Sequence, residues 1–302
     1  MRALAAITFV VGLLFSSPAL ADKTADTYYK EGLAYKLEGK TDKAIEALEQ
    51  AVAQNPKHGM AWASLGALYK LKKDLPKSIT AYENASKVIT KDKTIWRNLG
   101  TAYANDNKLE QAKQALLTAC KLDPKDAEIR SLLGTVRRKL NDNKGAIVDL
   151  EKATQLKPDE AEWWHSLGVA YRFDNRMDDA IKAYEKAVEI APNEARYHFD
   201  LGAAWRRKDD PDKAIPHYEK ATSLDPTHAE GWFDLGYMYK RNKENDKAIA
   251  AWQKYLDLNK GKDPEGAKRA EEEMTSIGGT PKKTTDKKPA PKTTPKTTPK
   301  KK

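Results

Sequence analysis

Seven glycines stand 34 residues apart: Gly32, Gly66, Gly100, Gly134, Gly168, Gly202 and Gly236. Aligned on them, the chain divides without gaps into repeats 25–58, 59–92, 93–126, 127–160, 161–194, 195–228 and 229–262. A fixed period of this length means a stack of small units, none of which can bury its apolar face alone. The usual expectation of one or two globular domains for 302 residues therefore gives way to an array.

Within a repeat the apolar spacing is helical. In the fifth, Trp164, Leu167, Gly168 and Tyr171 mark one helix. Ala180, Ile181, Tyr184, Ala187, Val188 and Ile190 mark a second, closed by Pro192. Steps of three and four place such residues on one helix face. A glycine inside a helix costs about 1 kcal/mol against alanine, so its recurrence calls for close approach of the partner helix. Ala44, Ser78, Ala112, Ala146, Ala180, Ala214 and Ala248 are the small residues expected to face it. Pro56, Pro124, Pro158, Pro192 and Pro226 end second helices, while Thr90 and Lys260 replace proline in repeats two and seven. Repeat seven also has Tyr255 where the others have alanine, so packing should change at the end of the array. Repeat four carries Arg130 and Arg137 at aromatic positions, and looser packing is expected there.

These residues resemble the tetratricopeptide repeat (TPR) family. Its W-x2-L-G-x2-Y…A…P pattern stands in the third repeat as Trp96, Leu99, Gly100, Tyr103, Ala112 and Pro124, and most of it in the seventh as Trp232, Leu235, Gly236, Tyr239 and Ala248. The resemblance implies an all-α, right-handed superhelical solenoid of helix-turn-helix repeats. It also implies that first helices line a concave surface that takes an extended peptide or a partner helix. After the seventh repeat, residues 263–277 read as a capping helix with Ala267, Ala270, Met274 and Ile277 on one face.

The two ends differ from the array. Met1-Arg2, the apolar run Ala3–Phe15 and small residues at Ala19 and Ala21 form a cleavable signal over 1–21, too short for a membrane span. The expected location is periplasmic or secreted, in a bacterial envelope. Residues 278–302 hold nine Lys and one Asp among Thr and Pro, with TTPK copies at Thr293–Lys296 and Thr297–Lys300. Such a tail cannot form a core and is expected to be disordered. It carries most of the formal +10, so the basic balance describes a tail and not a specific nucleic-acid-binding domain. The tail either holds an anionic surface or only solubilises the chain.

Function is sought on the implied concave surface. Its twelfth and thirteenth positions supply Lys36, Lys70, Arg138, Lys139, Arg172, Arg206, Arg207, Lys240 and Arg241, and its second supplies Asp26, Glu128, Glu162 and Glu230. Acids at helix N-termini and bases at C-termini also simply match the helix macrodipole. In repeats five to seven, however, Phe173, Phe199, Phe233 and Tyr237 join the bases, the combination that makes an interface hot spot. The alternative for these aromatics is packing between repeats. The family's carboxylate clamp is incomplete: Arg97 and Asn98 are followed by Leu132 and Glu162.

No catalytic residue, cofactor or metal is expected. His165 and His198 lie in neighbouring first helices and could approach each other, but two ligands make a poor metal site. The single cysteine, Cys120, occupies a small core position and excludes an internal disulfide. The expectation is a non-enzymatic scaffold for a protein or peptide. Other readings are a structural envelope protein tethered by the Lys-rich tail, and a self-assembling scaffold.

Overall fold

The computed structural model describes residues 23–281. The signal segment 1–21 and nearly all of the Lys-rich tail lie outside the described residues. All regular structure among the described residues is α-helical. The first helices are α1 (Ala25–Leu37), α3 (Gly59–Leu71), α5 (Lys93–Asn105), α7 (Ala127–Lys139), α9 (Ala161–Phe173), α11 (Ala195–Arg207) and α13 (Ala229–Arg241). The second helices are α2 (Thr41–Gln54), α4 (Leu75–Val88), α6 (Leu109–Leu122), α8 (Asn143–Leu156), α10 (Met177–Ile190), α12 (Pro211–Leu224) and α14 (Asn245–Asn259). A last helix, α15, spans Pro264–Ser276. The chain forms two compact units, one to Val136 and one from Arg137.

Each first helix ends the same way. The residue at the fifteenth repeat position has a left-handed backbone: Gly39, Lys73, Asn107, Asn141, Asn175, Asp209 and Lys243, with φ between 58° and 74°. The next residue's N–H then reaches back five residues, as from Lys40 to the Tyr35 carbonyl at 2.9 Å and from Glu244 to that of Tyr239 at 2.8 Å. These are Schellman turns, which satisfy carbonyls left open at a helix end and turn the chain into the second helix.

In the N-terminal unit, α1 packs on α2, α3 on α4 and α5 on α6, and each second helix packs on the first helix that follows within α2–α5. Leu48, Leu65, Leu116, Ile129 and Leu133 are fully buried. The glycine lies against a large side chain and not only against a small one. A methyl on Gly32 would stand 2.6 Å from Leu48 and 3.2 Å from the Ala44 carbonyl, and one on Gly100 would stand 2.6 Å from Leu116. The small residue four positions before the bulky one admits the helix backbone, and the glycine admits the bulky side chain.

Successive repeats are also joined by a hydrogen bond. The side chain at the fourth position donates to the carbonyl six residues earlier, in the loop that ends the preceding repeat. Trp62 reaches Pro56 at 2.9 Å and Trp96 reaches Thr90 at 2.9 Å. Arg130 makes the same bond to Pro124 through Nε at 3.4 Å, so it replaces tryptophan as a donor and does not loosen its site. Tyrosines add a second tie: Tyr69 donates to Glu49, and Tyr103 to Glu83 at 2.6 Å. Cys120 is buried in α6.

In the C-terminal unit, α9 packs on α10, α11 on α12 and α13 on α14, with α15 against α14. Trp252, Tyr184, Tyr218, Leu150, Leu201 and Leu235 are its largest fully buried side chains. The fourth-position bond continues through Trp164 to Pro158 at 2.8 Å, His198 to Pro192 at 2.9 Å and Trp232 to Pro226 at 3.1 Å. Arg137, at a tyrosine position, turns to Asp149 at 3.1 Å and to the Gly145 carbonyl at 3.2 Å. Both arginines of repeat four are thus held by specific partners where sequence alone suggests loose packing. Ala270 and Met274 of α15 are fully buried, and Asp263 caps the helix through the Gly266 N–H at 2.8 Å. Tyr255 donates to Asp263 at 3.0 Å, which explains the bulk at that position: it joins the last repeat to the cap.

A methyl on Gly168 would meet Tyr184 at 2.6 Å, whereas one on Gly202 would meet Tyr218 at 3.1 Å. Gly168→Ala should therefore lose about 2 kcal/mol in a urea titration, while the gain in helix propensity of about 1 kcal/mol leaves Gly202→Ala near neutral. At the left-handed positions, Lys243→Gly should gain about 1 kcal/mol by removing a strained backbone, read as a raised thermal midpoint.

Candidate functional site

The first-helix face of repeats five to seven lies wholly in the C-terminal unit. The last turns of α9, α11 and α13 carry its bases, since a helix C-terminus favours cations. Four of the residues singled out in the sequence are tied to other parts of the protein. Phe199 packs edge-on against His228, with ring centroids 4.6 Å apart, and against Tyr218 at 5.7 Å. Phe233 packs on Tyr255 at 5.1 Å and lies under the Arg269 guanidinium. Lys240 pairs with Glu273 and reaches the Ser276 hydroxyl at 2.8 Å, and Arg241 pairs with Asp209.

The rest are more available. Phe173 is 55% exposed and carries the Arg172 guanidinium 4.8 Å above its ring. Tyr237 is exposed at the surface of α13. Arg207 is exposed, and Arg138 and Arg172 are half-buried. None of these three arginines forms an ion pair among the described residues. Arg206 is intermediate: it is exposed yet lies 3.4 Å from the buried Asp234.

Behind this face sits a polar layer that the sequence reading did not single out. The Tyr218 hydroxyl donates to Asp234 Oδ2 at 3.0 Å. Burial raises the Asp234 pKa above the ordinary carboxylate value, with Arg206 and Tyr218 only partly opposing it. Burial, reinforced by Asp234, raises that of Tyr218. Glu162 accepts from Tyr197 at 3.0 Å and pairs with Arg196; these bonds outweigh burial and lower its pKa. Asp234 and Glu162 are therefore engaged in joining repeats. A signal for the layer was present: Tyr184 and Tyr218, and Asp200 and Asp234, each stand 34 residues apart.

The histidines do not pair as their helix positions suggest. His165 Nε2 lies 2.6 Å from Asp200 Oδ2, and its ring stacks on Tyr197. His198 donates from Nε2 to the Pro192 carbonyl, which leaves Nδ1 as an acceptor for His217 Nδ1–H at 3.3 Å. Among the described residues no three or more His, Cys, Asp or Glu side chains converge as a metal site would require.

A cavity of about 570 Å³ opens at the end of the face, lined by Arg206, Glu230, Phe233, Asp234, Tyr255 and Arg269 among others. Arg269 belongs to the cap helix, whose polar side reads in the sequence only as a solvated surface. Opposing charges share this cavity, so it has no single electrostatic preference. No helix among the described residues is long and apolar enough to cross a membrane.

Helix pairs at a 34-residue period, glycine-seated second helices and loop carbonyls bound by the next repeat define a tetratricopeptide architecture, and family comparisons agree. Tetratricopeptide repeat models match residues 25–58 and 97–161, and the TPR domain of cytochrome c-type biogenesis protein H matches 150–266. The chain is a tetratricopeptide repeat protein. Among solved structures it is similar to MamA, at 26% identity over 57% of this chain and 94% of that one, with a TM-score of 0.53. A MamA fragment from Desulfovibrio magneticus RS-1 is 25% identical over 56% of this chain and 96% of its own length, with a TM-score of 0.54. YrrB, described as a TPR protein with an unusual peptide-binding site, shares the fold at 21% identity over 62% and 96%, with a TM-score of 0.56. No curated protein matches the chain.

Burial, then His198, lowers the pKa of His217. The native fold then binds fewer protons than the unfolded chain, whose histidine titrates near the ordinary value of about 6.5. Stability from this site is complete above that value and is lost as pH falls through it toward the lowered native pKa. His217→Gln should flatten the loss of stability between about pH 7 and pH 5, measured by denaturant midpoints across that range.

Proposed function

We propose that this protein is an exported scaffold whose repeats five to seven hold an extended peptide or protein segment along the first-helix face. The observation that carries the reading is the Arg172–Phe173 pair: an exposed aromatic ring beneath a guanidinium that has no carboxylate of its own. Arg138, Arg207 and Tyr237 extend that surface. An aromatic and an arginine side by side provide desolvated area and a directed charge. The rigid helix pairs are already ordered, so most of the entropic cost of binding falls on the partner. Arg206, Phe199, Phe233, Lys240 and Arg241 support the face through their contacts within the protein.

Export rests on the leader, whose small residues at Ala19 and Ala21 set cleavage before Asp22. The Lys-rich tail adds a non-specific attraction for anionic surfaces, screened by salt. The test is capture from envelope extract by the full chain, with Phe173→Ala combined with Arg207→Glu as the comparison. Both side chains are exposed, so the helical signal should be kept while a protein retained by the wild type is lost. Unchanged capture would remove this face from the function, and a purified protein beginning at Met1 would remove export.

A further inference from the structure

Two successive repeats carry the same three side chains at matching positions, in different states. One set is Arg172, Tyr184 and Asp200; the other, 34 residues on, is Arg206, Tyr218 and Asp234. The second set is closed. The Tyr218 hydroxyl donates to Asp234 Oδ2 at 3.0 Å, and Arg206 lies 3.4 Å from the same oxygen. One carboxylate thus serves both groups.

The first set is open. Asp200 faces His165 instead, at 2.6 Å. Tyr184 is fully buried with the Arg172 guanidinium as its hydrogen-bonding neighbour, but no carboxylate accepts from its hydroxyl, and the buried Nε of Arg172 has no partner of good geometry. Buried polar groups are nearly always satisfied, so two such groups side by side call for an explanation. A single difference accounts for it. His165 stands where the next repeat has Phe199. Phenylalanine has no polar atom and leaves Asp234 to its tyrosine, whereas histidine takes Asp200 away. His165 is itself held in place between the rings of Tyr197, at 4.9 Å, and Tyr184, at 5.6 Å.

We propose that Arg172 and Tyr184, with Arg138 beside them, form a subsite for a carboxylate side chain of the bound peptide, occupying the place Asp234 takes one repeat later. This rests on the reading that the first-helix face holds a peptide, and it names what the peptide must bring: an aspartate or glutamate. The chemistry follows the closed set, where a carboxylate accepts from the tyrosine hydroxyl and pairs with a terminal nitrogen of the arginine. Asp200, then Arg172 and Arg138, act electrostatically on the Tyr184 hydroxyl. Two cations against one anion suit a singly charged ligand group better than a phosphate dianion. Arg172 is half-buried, so its outer edge meets solvent, and Phe173 steadies its guanidinium. His165 is a positioning residue: it keeps Asp200 from closing the subsite.

The test uses the full chain on an array of terminally blocked random peptides, each present in a glutamate and a matched glutamine version. The wild type should retain glutamate versions about tenfold better, as for one charge-assisted contact. His165→Phe should free Asp200 to close the set as in the next repeat. The variant should then melt at a higher temperature, and its preference for glutamate should fall to near one. Arg172→Gln should also abolish the preference, while Arg207→Gln weakens both versions alike. A wild-type ratio near one, or a preference that survives both His165→Phe and Arg172→Gln in folded protein, would overturn the subsite while leaving the peptide-binding face intact. If the wild type retained neither version, the face and the subsite would fall together.

Discussion

The bond from each fourth-position side chain to the carbonyl that closes the previous repeat is the constraint the array depends on. A helix pair with one apolar face is marginal alone, and stability in such arrays is roughly a sum of repeats and neighbour interfaces. The bond makes that interface directional. Burial alone would allow neighbouring repeats to slide, whereas a donor aimed at one carbonyl sets both spacing and rotation. Proline suits the loop because it ends the helix and leaves its carbonyl free. Thr90 gives the same carbonyl in repeat two without proline, so the acceptor and not the ring is what the next repeat reads.

Once the donor role is recognised, the departures at that position become intelligible. Arg130 and His198 share with tryptophan a planar group carrying an N–H, and each reaches the same carbonyl. For His198 the consequence continues inward. Donating from Nε2 fixes its tautomer, which makes Nδ1 an acceptor and orders His217. The fourth-position joint is therefore kept from repeat two to repeat seven even where its residue changes. Phe173, Arg207 and Tyr237 lie on a face that this joint does not use.

Much of this fold was legible in the sequence because its period is exact in length and needs no distant contact to detect. Helix pairing, the cap and the buried position of Cys120 all follow from position within a repeat. The left-handed turn leaves a signal in Gly39, Asn107, Asn141, Asn175 and Asp209, but Lys73 and Lys243 blur it and the helix spacing alone does not show it. The site was less legible. Sequence position places a residue on the first-helix face but does not say whether a neighbour has already taken its charge. Arg207 and Arg241 share one repeat position, yet only Arg241 meets a carboxylate among the described residues, Asp209. The difference between the Asp200 and Asp234 networks depends on which way a carboxylate turns, and the period alone hides that by making the two repeats look alike.

The central claim is that repeat five presents a guanidinium and a hydroxyl in need of a carboxylate, while repeat six does not. The direct measurement is the NMR signal of the arginine Nε–H groups of the full chain during titration with a blocked peptide containing glutamate. The Arg172 signal should shift downfield and exchange more slowly, while the Arg206 signal stays in place. Equal shifts of both, or movement of Arg206 alone, would contradict it.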